Sequence, residues 1–199
     1  NYEIRKNLLK YDNIVNDQRK NIFSLRKKIM TSANLNDQIS EICQSINQEI
    51  VQRAIPAKSY PHQWQLDHLD LELKRIYGLD LNIKEFAKKD GVDEREVLSL
   101  INEKTAEIFA GKITEYGQEI FGQIQKRIYL VTLDMEWKDH LLSLDKLRYG
   151  INLRAYGQRD PLVEYRKEGV RLFAEMQVAL YLRIAGVLPN VQPKMIEKE

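Results

Sequence analysis

Residues 118–188 read QEIFGQIQKRIYLVTLDMEWKDHLLSLDKLRYGINLRAYGQRDPLVEYRKEGVRLFAEMQVALYLRIAGVL. Two apolar stripes run through this stretch. Leu133, Trp137, Leu141, Leu144, Leu147 and Ile151 recur at steps of four, four, three, three and four. Phe173, Met176, Leu180, Ile184 and Val187 follow at three, four, four and three. Such spacing puts each set on one face of an α-helix. The segment between them, from Asn152 to Pro161, is short, and a short connection makes the two helices antiparallel neighbours. Asp160 is placed to cap the second helix. Pro161 suits its first position, where a missing N–H costs nothing. At about 1.5 Å per residue each arm is roughly 40 Å long. The connecting tip, about 152–161, carries Arg154, Tyr156, Gln158 and Arg159. A solvated hairpin turn is one account of it. A contact surface is the other, because tyrosine gives a large amphipathic contact at low entropy cost and arginine pairs with carbonyls and carboxylates.

Outward from the hairpin, residues 1–30 carry a second regular pattern. Ile4, Leu8, Tyr11, Val15, Gln18, Ile22, Leu25 and Ile29 alternate steps of four and three, a coiled-coil-like seam with one polar member, Gln18. Basic residues such as Arg5, Lys6, Arg19 and Lys27 fill the faces between. A helix of this kind needs partners along its length. The two hairpin arms provide them, so a three-helix bundle non-contiguous in sequence is expected, with residues 31–114 as an insertion.

The insertion reads as a small helical domain. Asn34 or Asn36 caps a helix striped by Leu35, Ile39, Ile42, Ile46 and Ile50 and ended by Pro56. A helix is expected from His62 to Tyr77 with Gly78 at its C-cap. A short helix over Ile83–Lys89 follows, stopped by Gly91. Asp93 then caps a helix through Val97, Leu100, Ile101, Ala106 and Phe109 that ends at Gly111. After Leu188, the prolines at 189 and 193 break the second arm, and residues 189–199 are expected to form a linker.

Composition agrees with an all-α fold. Nine glycines and five prolines in 199 residues signal few turns, which favours long helices over many short strands. A net charge of +2 is too balanced to argue for nucleic acid. Cys43 is the single cysteine, so no internal disulfide is expected. No run of about 18 apolar residues is present to span a membrane. The chain opens at Asn1 already in helical pattern, which reads as part of a longer or processed protein.

No constellation for chemistry emerges. Gly111-Lys112 is followed by Ile113, and Ala106 holds the earlier glycine position, so the phosphate cradle fails. His62 and His68 are six apart, His140 is remote and Cys43 is alone, which gives no metal-ligand spacing. Asp134, Glu136 and Asp139, with Lys138 and His140, read as a solvated helix face laced by ion pairs. Trp137 is expected in the core. No catalytic residue, cofactor site or metal site is therefore expected.

Three segments carry a family resemblance. Residues 4–19, IRKNLLKYDNIVNDQR, are similar to the start of the helical scaffold domain of the SecA preprotein translocase ATPases. Residues 132–141, TLDMEWKDHL, and 153–168, LRAYGQRDPLVEYRKE, resemble that family's two-helix finger. The resemblance implies a long scaffold helix at 1–30, a helical wing domain at 31–114, and the two-helix finger at 115–188 that completes the scaffold.

It also implies a function. Proteins of this family use ATP and Mg in two motor domains to drive unfolded preproteins through the SecYEG channel, working in the cytoplasm and on the cytoplasmic face of the bacterial inner membrane. A tyrosine at the finger tip, Tyr156 here, contacts the moving polypeptide, with Arg154, Gln158 and Arg159 beside it. The chain is then a non-catalytic part, expected to meet preprotein, channel and the protein's own motor domains. Apart from the resemblance, the basic faces of residues 1–30 read either as evenly solvated or as a contact for anionic lipid. A stand-alone helical adaptor that binds partners through the seam of residues 1–30 is the alternative.

Overall fold

The computed structural model describes residues 2–153 and 160–192. Helices α1 (Tyr2–Thr31), α2 (Asn36–Ala54), α3 (Leu66–Tyr77), α4 (Ile83–Phe86), α5 (Glu94–Tyr116), α6 (Gln118–Leu153) and α7 (Pro161–Val187) follow in order, with 3₁₀ turns at Pro61–Gln63 and Leu188–Asn190. No strand occurs among the described residues, so the fold is all-α. Two compact units divide the chain, one of Asn1–Ser32 with Tyr129–Leu180, the other of Ala33–Ile128 with residues from Tyr181 onward.

The first unit packs α1 against the unit's segments of α6 and α7. Leu144, Ile151 and Tyr165 form its buried centre, with Tyr11, Ile14, Val15, Leu147 and Leu172 against them. Contacts pair His140 with Phe173, then Leu144 with Gly169. Residue numbers rise on α6 as they fall on α7, so the arms are antiparallel. Asp160 Oδ1 accepts from the Leu162 amide at 2.9 Å, and its carbonyl accepts from Glu164 at 3.1 Å. Pro161 opens α7, as the cap chemistry predicts.

One expectation for α6 fails. Glu136 and His140 are buried, not on a solvated face, while Trp137 and Leu141 are half-buried. The inward row in this unit is Tyr129, Leu133, Glu136, His140, Leu144 and Ile151. Polar side chains hold such positions when they find partners, and His140 finds Gln18, the polar member of the α1 seam. Val187 also leaves its expected stripe and is 46% exposed.

In the second unit, α2 buries Leu35, Ile39, Ile42, Ile46 and Ile50, as its stripe requires. Each such side chain stabilises by about 1.5–3 kcal/mol relative to exposure. Cys43, Asn47, Val51 and Ala54 are buried too, so the inward face is wider than the stripe. Asn47 is fully buried and fully used. Its Nδ2 donates to Asn102 Oδ1 at 2.9 Å and Thr105 Oγ1 at 3.2 Å, and its Oδ1 accepts from the Tyr77 hydroxyl at 2.8 Å. These bonds tie α2 to α3 and α5.

Helix ends in this unit depart from expectation where a backbone group finds a better partner. Neither Asn34 nor Asn36 is the N-cap of α2. Leu35 is, and Asn34 Oδ1 instead accepts from the Asn36 amide at 3.1 Å. α3 starts at Leu66 because Gln63 turns back onto the Tyr60 amide and the Gln65 amide donates to the Ala54 carbonyl. α4 stops at Phe86. Gly78, at φ 71°, and Asp93, which accepts from the Glu96 amide at 3.0 Å, cap as predicted.

Gly111 does not end α5. The helix continues to Tyr116, and Gly117 at φ 81° makes the break. Continuation is secured by Lys112 and the Tyr116 hydroxyl, which both donate to the Val191 carbonyl, at 3.0 and 3.1 Å. Along α5 the buried row is Val97, Ile101 and Thr105, whereas Ala106 is exposed.

The segment Pro161–Asn190 is long and apolar enough to cross a membrane by length and composition, contrary to the run-length expectation. Some of its apolar residues are buried, while Val163, Val170, Val178 and Val187 are exposed. Tyr165, Met176 and Leu180 are buried in the first unit, Ile184, Ala185 and Leu188 in the second.

Candidate functional site

The site singled out by the sequence, Arg154, Tyr156, Gln158 and Arg159, lies outside the described residues. Its supports are described. Leu153, 62% exposed, ends α6, and exposed Asp160 opens the return. Both arms that carry the tip belong to the first unit along the stretch next to it.

Three aromatic and charged side chains brace this end. Tyr11 of α1 meets Tyr165 of α7 edge-on, ring centroids 4.9 Å apart. The Arg148 guanidinium lies 5.0 Å from the Tyr11 ring centre and reaches Asp12 at 3.4 Å. An aromatic pair contributes about 0.5–1.5 kcal/mol beyond burial, and the cation over the ring about 0.5–1 kcal/mol. Burial pushes the Tyr11 hydroxyl's pKa up, with Asp160 adding to the rise and Arg148 opposing it. Burial likewise raises Tyr165. Both phenols therefore stay neutral hydrogen-bonding groups at neutral pH.

Beside this brace runs a groove of about 380 Å³, lined by Ile4, Leu8, Arg148, Asn152 and Pro161 among others. Ile4 and Leu8 are 65% and 45% exposed, so the seam of α1 continues past its arm partners. The expectation that the arms cover the whole seam is thus met only from Tyr11 onward. Arg148, Asn152 and Asp160 belong to this face, yet sequence patterning did not single out the first two. The available signal was arithmetic: the first-arm stripe ends at Ile151, short of the first two seam positions of α1.

Further down the same unit, Gln18 joins all three helices. Its Nε2 donates to the Gly169 carbonyl at 3.2 Å, and His140 Nε2 lies 2.6 Å from its Oε1. The amide nitrogen must face the carbonyl, so the amide oxygen faces the imidazole, and His140 carries its proton on Nε2. Trp137 and Phe173 flank the ring at 5.5 and 5.6 Å. Burial lowers its pKa. The triad anchors the hairpin to α1 at one register.

No group of three or more histidine, cysteine or carboxylate side chains placed to hold a metal occurs among the described residues. His62 stacks on Tyr60 at 5.9 Å, away from His140 in both sequence and unit.

A long helix joined to a two-helix hairpin by a polar triad and an aromatic brace defines an all-α helical scaffold. The chain belongs to the SecA wing and scaffold domain family, whose profile matches residues 1–192. It is 41% identical over 202 aligned residues to the protein translocase subunit SecA of Afipia carboxidovorans, covering 98% of this chain and 22% of that protein. The SecA subunit of Acidiphilium cryptum is 41% identical over 192 residues, covering 96% and 21%. That of Bradyrhizobium diazoefficiens is 39% identical over 199 residues, covering 100% and 21%. The chain thus spans about a fifth of the length of these relatives.

Proposed function

We propose that this chain is the scaffold, wing and finger portion of a protein-translocating ATPase that drives unfolded preproteins through the SecYEG channel. Residues 1–30 serve as the scaffold helix, 31–114 as the wing and 115–188 as the finger. The portion is non-catalytic. ATP and Mg belong to motor domains elsewhere in the protein, and the assembly works in the cytoplasm and on the cytoplasmic face of the membrane, against anionic lipid. Membership of the SecA wing and scaffold family along nearly the whole chain supports this reading.

The physics of the finger is consistent with it. A chain in transit has no fixed sequence, so its contact must be tolerant. Tyr156 supplies an amphipathic face, and Arg154, Gln158 and Arg159 supply hydrogen bonds to any backbone carbonyl. Displacement of the tip reaches α1 because Gln18, Tyr11 and Tyr165 resist sliding of the arms. The test is Tyr156→Ala in the full-length protein, with import of a preprotein into inverted membrane vesicles as the readout. Transport falls strongly while basal ATP hydrolysis persists. Unchanged transport removes the role assigned to the tip.

The exposure of Ile4 and Leu8 favours a second reading, an adaptor that binds partner proteins through the seam of residues 1–30. Ile4→Glu with Leu8→Glu separates the two. An adaptor loses its partner and leaves transport intact, whereas in a translocase the same pair of changes uncouples ATP hydrolysis from transport.

A further inference from the structure

Between α2 and α5, wholly inside the second unit, lies a cleft of about 210 Å³. Its floor includes Ile39, Cys43 and Asn47, all buried. Phe109 forms part of the wall, and exposed Ala106 and Ala110 stand at the mouth, where small side chains keep it open.

The lining selects a ligand by charge, size and polarity. No acidic or basic side chain lines the cleft, in a chain that is 30% charged. A charged occupant would lose hydration without gaining a partner, so the occupant is neutral. Burial pushes the Cys43 thiol up to about 12, so it too stays uncharged. A cavity of ~150 Å³ accommodates benzene, whereas drug-sized ligands need roughly 300 Å³ or more. The volume here suits one ring with a small substituent.

Two amides at the cleft, half-buried Asn102 and exposed Gln44, offer polar partners. Asn102 Oδ1 already accepts from Asn47, which leaves its Nδ2 to donate. Gln44 Nε2 already donates to Ser40 Oγ at 3.3 Å, which leaves its Oε1 to accept. A hydroxyl matches the free group of either amide, since it both accepts and donates. The Phe109 ring and the polarisable Cys43 sulfur favour an aromatic over an aliphatic body.

We propose that this cleft binds a small neutral phenol, with its ring against Phe109 and Cys43 and its hydroxyl between Asn102 and Gln44.

The test titrates the ¹⁵N-labelled 199-residue chain with p-cresol and follows amide resonances. Saturable shifts are expected at Cys43, Asn102 and Phe109. Toluene, which lacks the hydroxyl, and 4-methylbenzoate, which carries a charge, bind about tenfold more weakly or less. Ala106→Trp and Ala110→Trp, made separately, obstruct the mouth from exposed positions, and at least one abolishes the shifts with its melting temperature unchanged. Unsaturable or scattered shifts, equal binding of toluene, or full binding in both variants would overturn the proposal. So would saturation by a tyrosine-containing peptide with no response to p-cresol, which would assign the cleft to a protein partner.

Discussion

Gln18 Oε1 sits 2.6 Å from His140 Nε2, across 122 residues of sequence, at a point where three helices meet. The other end of the same amide holds the Gly169 carbonyl. One side chain therefore sets the register of α1 against both hairpin arms. A seam of apolar residues alone resists sliding weakly, because neighbouring turns present similar surfaces. A buried polar member has only one satisfied position.

Replacing Gln18 by Leu should destabilise the chain by about 1–3 kcal/mol, since His140 then loses its buried acceptor. Leu at both 18 and 140 should cost less than the sum of the single changes, because no imidazole is left unpaired. Urea unfolding of the four-member cycle measures the coupling. Strict additivity would mean that the pair sets nothing.

His140 also makes stability depend on pH. Burial places its folded pKa below the ordinary imidazole value of 6.5. Between the two values the unfolded chain binds more protons, so stability rises with pH across that window. The contribution is complete above the unfolded value and is lost as pH falls through the folded one. The extra proton goes to Nδ1, because Nε2 already carries one toward Gln18. Urea midpoints measured from about pH 7.5 down to about pH 5 should fall in the wild type. The fall should be shallower in His140→Gln, and an unchanged slope there would assign the effect to other groups.

The two glycines near the end of α5 should respond in opposite directions. Gly111 is inside the helix, and a Cβ added there would meet nothing within 4 Å, so Gly111→Ala should stabilise by about 0.5–1 kcal/mol. Gly117 is at φ 81°, so Gly117→Ala should destabilise by about 1 kcal/mol. Thermal melting of the two variants reads the difference in sign.

Buried and exposed polar contacts should differ in weight. Asn47→Ala strips partners from Tyr77, Asn102 and Thr105 and should cost about 2–3 kcal/mol. Arg26 pairs with Asp134 at the surface, and Arg26→Ala should cost about 0–1 kcal/mol. Denaturant midpoints for both variants would show whether the second unit depends on its polar network to this degree.

Tyr165 is almost fully buried against Tyr11, so Tyr165→Ala should cost about 3–5 kcal/mol. Tyr165→Phe keeps the ring and should retain most of the stability. Equal losses in the two would place the weight on the hydroxyl instead of the packed ring.

Local patterns determined the helices and their pairing. The stripe on α2, the Asp93 and Asp160 caps and the short connection before Pro161 each act within a few residues, so they are legible without neighbours, whereas the stripes on α6 and α7 are legible only in part. They lead to the expectation of a tip at about 152–161, of which residues 154–159 lie outside the described residues. Tertiary structure decided what depends on remote partners. His140 lies inside because the α1 seam brings Gln18 to it, and α5 passes Gly111 because Val191 returns to hold its last turn. The cleft between α2 and α5 belongs to the same category. A helical period reports which residues share a face. Only packing reports which polar groups have a partner there, and that decides whether the face can be buried.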